Sequence, residues 1–111
     1  IFPMDPSSRY YGDCTRTVVH GKIPAQVAEM HGAVVAAKKA AIGVTRAGAT
    51  GEAVHKAACD VFETKGFAIG LPGADVPATY IGYVHGTGHG VGLDVHEPPL
   101  LGACTKRPCP T

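Results

Sequence analysis

Glycine recurs at positions 86, 88, 90 and 92, and the same dozen residues carry His85, His89 and His96. A helix through this stretch would contain four glycines, each roughly 1 kcal/mol worse than alanine. The four-residue spacing of His85 and His89 therefore does not describe two zinc ligands on one helical face. The segment reads as strand or loop. At about 3.3 Å per residue an extended run holds the two rings ~13 Å apart, too far to share an ion bound about 2 Å from each nitrogen. One of the pair is expected to be a ligand and the other an auxiliary group. The glycines permit positive φ and let the backbone bend closely around a neighbour.

Elements upstream follow from periodicity. Tyr10 to His20 is predicted as a strand with Tyr11, Asp13, Thr15 and Thr17 on one face. Pro24 opens a helix, where its missing N–H does no harm. Val27, Met30, Val34, Ala37, Ala41 and Val44 form one apolar stripe running to about Ala47, and His31 falls on the helix surface. Arg46 to Gly51 breaks this helix. Thr50 is the expected N-cap of a second helix that runs to Lys65, with Glu52 at the positive end of its dipole. Ala53, Val54, Ala57, Ala58, Val61 and Phe62 give it an apolar face, and both helices are expected to cover a sheet. Residues 66–80, with Gly70, Pro72, Gly73 and Pro77, lack a period and read as loop with short extended pieces. Ile81 to Val84 leads into the glycine-rich stretch, and Val91 to His96 is predicted to resume as strand. A regular strand would face His96 away from His89, so a shared site requires a bend or bulge between them.

A lone aspartate at position 13 is most simply a turn or capping residue, and a lone His96 most simply a hydrogen-bonded structural histidine. The cluster changes that weighting, because imidazoles are common metal ligands and acid–base groups near neutral pH. A carboxylate taken out of water needs a partner or a metal, with the Thr15 hydroxyl as a natural support for Asp13. His20 and His55 receive no functional reading.

The motif HGTGHGVGLDVHEPP, together with YYGDCTRTVVHGK at residues 10–22 and a helical segment between them, resembles the Xaa-Pro dipeptidase (prolidase) and aminopeptidase P branch of the pita-bread metallopeptidases. The resemblance covers about residues 1–99. Methionine aminopeptidases are similar around Gly88-His89-Gly90 and His96-Glu97, but His85 fits the proline-directed branch better. It implies an α+β fold: a partial pita-bread of antiparallel strands covered by two helices. It also implies a site of two divalent ions held by two aspartates, one histidine and two glutamates. Asp13 matches the second aspartate and His89 the histidine, while His96 and His85 match histidines that serve the substrate. The first aspartate should immediately precede Ile1-Phe2-Pro3, and both glutamates belong beyond Pro99, where Leu100 to Thr111 holds no acidic residue. The chain is thus expected to be an internal fragment with two of five ligands, a catalytic unit at 1–99 and a divergent, irregular tail at 100–111.

Composition narrows the alternatives. With 111 residues one domain is the ceiling. Ten basic against nine acidic residues give a net charge of +1 without a basic stripe, so nucleic-acid binding has little support. No run approaches the roughly 20 apolar residues of a membrane span, and no signal-peptide core is present. Cys14, Cys59, Cys104 and Cys109 lack the paired short spacings of a zinc ribbon and read as reduced thiols in a cytoplasmic protein.

The resemblance implies hydrolysis of Xaa-Pro bonds in short proline-containing peptides, with manganese as the first expected metal and zinc or cobalt next. A homodimer is the assembly it suggests, and the fragment alone is expected to be inactive. The competing reading is a metal-free pita-bread module that binds peptides or protein partners. A small zinc domain built on Cys104 and Cys109 is the third and weakest.

Overall fold

A computed structural model of the chain describes residues 2–3, 6–106 and 109. The elements in order are β1 (Phe2–Pro3), β2 (Tyr11–Gly12), α1 (Ala25–Val44), α2 (Gly51–Thr64), β3 (Ala68–Ile69), β4 (Gly82–Tyr83), β5 (Gly88–Gly90) and β6 (Glu97–Leu101). The strands form three separate pairs: β1 with β2 and β5 with β6 are antiparallel, and β3 with β4 is parallel. The result is an α+β arrangement in which two long helices lie beside short strand pairs.

The helices start and stop where their termini can be satisfied. Thr50 caps α2 as predicted, its Oγ1 accepting from Ala53 N at 3.1 Å, with Glu52 in the first turn. At the end of α1 the Thr45 hydroxyl donates to Ala41 O at 2.8 Å, closing the last turn three residues before the expected limit at Ala47. Among the described residues, no helix is long and apolar enough to cross a membrane.

The core is the seam between α1 and α2. Ala33, Ala37 and Ala41 on α1 meet Val54, Ala58 and Phe62 on α2, with Ile69, Tyr83 and Leu101 packed against the cluster. Three small residues at steps of four make a shallow ridge that lets the two helix axes approach closely. This corrects the expected stripe, because Val34 is 52% exposed and Val27 also faces outward. Apolar residues lie nearly all round α1, so periodicity alone does not select a face. Bulk suggested valine, whereas close helix packing selects alanine.

Two predicted strands are also corrected. Of Tyr10 to His20, only Tyr11–Gly12 pairs, and residues 13–20 run as exposed irregular chain. Residues 91–96 form no strand and bend successively over 92–96, with strand on either side at Gly88–Gly90 and Glu97–Leu101. Alternating β-type sequence fixes a strand only where a partner edge supplies a ladder of hydrogen bonds, and the segment at 91–96 receives a single one, from Tyr11 N to Gly92 O. In the tail, Thr105 O accepts from Glu52 N and Cys109 N donates to Ala49 O, both at 2.8 Å, tying this part of the chain to the start of α2. The remaining expected tail residues, 107–108 and 110–111, and the position of Ile1 lie outside the described residues.

Candidate active site

The glycine-rich stretch owes its composition to close approach. None of Gly86, Gly88, Gly90 and Gly92 has the positive φ that the sequence allowed for. A Cβ on Gly90 would run into the Pro98 carbonyl, and one on Gly92 into the Glu97 carboxylate. At Gly86 it would stand 3.3 Å from Leu101 O and at Gly88 3.2 Å from the Leu101 side chain. The backbone of residues 86–92 therefore lies flat on β6. The pairing shifts register between Gly88 and Gly90. Glu97 holds the following bend from inside, its Oε1 accepting from Asp94 N at 2.8 Å.

That shift and the bends at 92–96 fold His96 back onto His89. Their rings meet edge to face, with centroids 4.6 Å apart. Asp13 arrives from the other end of the chain. Tyr11 N donates to Gly92 O at 2.8 Å, which fastens β2 to the histidine-bearing segment and sets Asp13, two residues on, at the rim. Asp13 Oδ2 then stands 3.2 Å from His89 Nε2. The carboxylate that the sequence placed beside Thr15 in a protein interior is 39% exposed, and its partner is His89, itself 16% exposed.

The proton positions at His89 follow from its neighbours. A carbonyl only accepts, so Nδ1, 2.8 Å from Gly90 O, carries the ring proton. In the neutral ring Nε2 then points a lone pair at a carboxylate oxygen, and two Lewis bases face each other until a cation joins them. Two donor atoms held about 2.1 Å from one ion at roughly right angles stand about 3 Å apart. The observed spacing and the nitrogen-plus-oxygen donor set thus fit two adjacent ligands of one divalent ion. Among the described residues no group of three or more His, Cys, Asp or Glu side chains converges on a single ion position.

His85 lies apart from this pair. Its Nδ1 donates to Gly86 O at 2.8 Å, and its ring packs edge-on against Tyr83 with centroids 4.8 Å apart. All three histidines nevertheless line one open cleft, together with Leu101, Cys104 and Thr105.

Behind the cleft runs a chain of contacts that sequence reasoning did not find. Tyr83 Oη and Thr87 Oγ1 are 2.8 Å apart, Thr87 Oγ1 and His55 Nδ1 2.9 Å, and His55 Nε2 and Cys59 Sγ 3.4 Å. Burial, and then the charge of His85, hold His55 below the usual histidine range. Burial pushes the Cys59 thiol and the Tyr83 phenol up. The signal available in the sequence was Thr87 alone, the one side chain between Gly86 and Gly88. Its partner on α2 is 32 residues away.

Residues 5–109 match metallopeptidase family M24, and the chain belongs to that family. Over 92 residues it is 38% identical to the probable dipeptidase PepE of Mycobacterium tuberculosis, covering 83% of this chain and 21% of that protein. It is 36% identical over 92 residues to a putative Xaa-Pro aminopeptidase of Mycoplasma genitalium, covering 81% and 23% respectively. The crystal structure of X-Pro aminopeptidase from Thermotoga maritima superimposes with a TM-score of 0.73 at 31% identity, over 92% of this chain and 26% of that one. The partial pita-bread fold expected from the sequence is therefore the fold of this chain. It spans about a fifth to a quarter of the length of these relatives.

Proposed function

We propose that residues 1–99 are the partial catalytic unit of a metal-dependent peptidase that cleaves Xaa-Pro bonds in short peptides. The observation that carries this reading is the Asp13–His89 pair, 3.2 Å apart, with the His96 ring beside it. Asp13 Oδ2 and His89 Nε2 would hold a divalent ion, one of two in the complete site, with manganese the first choice and zinc or cobalt next. The chemistry such a pair supplies when bound is activation of water and polarisation of the scissile carbonyl.

The other residues act on the substrate. His96, edge-on to His89, would donate a hydrogen bond to the carbonyl oxygen as negative charge develops there, an interaction stronger in the transition state than in the ground state. His85 has committed Nδ1 to Gly86 O, so its Nε2 is the atom free to bind the peptide or move a proton. A cytoplasmic location and a homodimer accompany this reading. The Mycoplasma genitalium and Thermotoga maritima relatives, whose names carry Xaa-Pro or X-Pro aminopeptidase, support the substrate class.

The test is hydrolysis of an Xaa-Pro dipeptide by the protein restored to the length of its relatives, with manganese, zinc or cobalt supplied. Cleavage that ceases on chelation is the expected result. Peptide binding without cleavage under all three metals would overturn it in favour of a non-catalytic binding module.

A further inference from the structure

The segment from His85 to Gly92 has little side-chain material with which to hold its shape. Gly86, Gly88 and Gly90 press on β6 through backbone alone. Thr87 is the exception. Its N–H donates to Leu101 O at 2.7 Å, and its side chain turns the opposite way, toward α2, where it meets His55. α2 is itself firmly seated by Val54, Ala58 and Phe62. Tyr83 closes the arrangement: its ring stacks on Phe62 at 4.7 Å and on His55 at 5.5 Å, and its hydroxyl reaches Thr87.

We propose that His55 is a positioning residue, which in its neutral Nε2–H form locks Thr87 and thereby fixes the spacing of His85 and His89. The direction of each bond follows from counting protons. The Tyr83 phenol donates to Thr87 Oγ1, the Thr87 hydroxyl donates to His55 Nδ1, and His55 Nε2–H points at Cys59 Sγ. Every strong donor then has an acceptor, and only the thiol, a weak donor, is left over. The reverse order leaves the half-buried Tyr83 hydroxyl proton without an acceptor, which is costly away from water. Burial favours the neutral imidazole and the protonated phenol that this order requires. The histidine whose Nδ1 accepts is thus an anchor outside the cleft, 30 residues before His85 in sequence. The inference rests on the peptidase reading only for the purpose of the lock; the lock itself is a property of this chain.

Side-chain 15N spectra of the full chain test it without metal or turnover. His55 should sit in one tautomer, with Nε2 protonated and the Nδ1 resonance displaced as a hydrogen-bond acceptor's is. A ring whose Nδ1 carries the proton overturns the proposal. Thr87→Val keeps the shape and removes the hydroxyl. It should abolish the Nδ1 displacement, shift the ring resonances of His85 and His89, and speed exchange of the Thr87 amide several-fold, about the weight of one net hydrogen bond. Thr87→Ser should restore all three. A valine variant with His85, His89 and Thr87 exchange unchanged, or a serine variant no better than valine, overturns it. If Thr87→Val folds poorly, the wild-type tautomer and the serine spectra still decide. Absence of cleavage on Xaa-Pro substrates would count against the peptidase reading and leave these readouts intact.

Discussion

His89 Nε2 faces Asp13 Oδ2 at 3.2 Å while His89 Nδ1 is tied to Gly90 O, so the ring can turn neither its proton nor its lone pair elsewhere. The two residues are 76 positions apart, and the bond from Tyr11 N to Gly92 O brings their segments together. This pre-set orientation is what supports the proposed reading of His89 and Asp13 as metal-holding residues.

Two side chains do not complete a coordination sphere. Titration of the chain with manganese or zinc in a calorimeter should therefore give no stoichiometric submicromolar site. A tight one-to-one site that vanishes in both Asp13→Ala and His89→Ala would mean that the chain carries more of the centre than this pair.

In the protein restored to full length, His89→Ala should lower metal content and activity together. His96→Ala should keep the metal and lose 10²-fold or more in activity, by analogy with the loss of an oxyanion-hole donor, about 3 to 4 kcal/mol. Metal content by mass spectrometry is read beside kinetics on an Xaa-Pro dipeptide. Equal metal loss in both variants, or normal turnover without His96, would end this division of labour.

The alanine seam makes a prediction opposite to the one that bulk suggests. Ala37, 2% exposed, faces α2, whereas Val34 is 52% exposed. Ala37→Asp should cost several kcal/mol, because it buries an unpaired charge and crowds a close helix contact. Val34→Asp should change stability little. Chemical denaturation of the two variants decides, and a larger loss at Val34 would reverse the assigned face.

Glycines in this chain are not equivalent. Gly32, inside α1 with open space where a Cβ would go, should tolerate alanine and gain roughly 0.5–1 kcal/mol. Gly90→Ala should destabilise, since the new methyl meets the Pro98 carbonyl and must push β6 away. Thermal melting of both variants checks the pair, and a stabilised Gly90→Ala would show that the contact with β6 is looser than described.

His55 gives the fold a pH dependence of defined sign. Its folded-state value lies below 6.5, chiefly through burial and secondarily through His85. The unfolded chain therefore binds the proton first. Stability is lost as pH falls below 6.5 and levels off beneath the lower folded-state value, while nothing further is gained above 6.5. Cys59 and Tyr83, both pushed up, stay protonated across this window. Denaturation midpoints between about pH 7.5 and pH 5 should fall for the wild type and flatten in His55→Gln. Parallel slopes would remove His55 as the cause.

Local chemistry was legible in the chain alone. Thr50 caps α2 because a hydroxyl at that point satisfies a helix N–H wherever the helix goes. Four glycines argue strongly against a helix through His85 and His89. The two spaced motifs carried the family, since each is a short run whose residue types are set by the site. The rest depends on partners distant in sequence and emerged with the packed fold. Ala37 became core and Val34 surface once α2 packed on α1. The stretch at 91–96 gave up its strand because β2 offers it one backbone bond, from Tyr11 N to Gly92 O, and not a ladder, and the bends that result bring His96 onto His89. Asp13 reached His89 through one backbone bond across the chain, and His55, unremarkable in its helix, acquired a role only when the fold set Thr87 against it. Propensity and capping act over a few residues and are legible there. Packing and hydrogen-bond geometry between remote segments are not encoded at either segment alone.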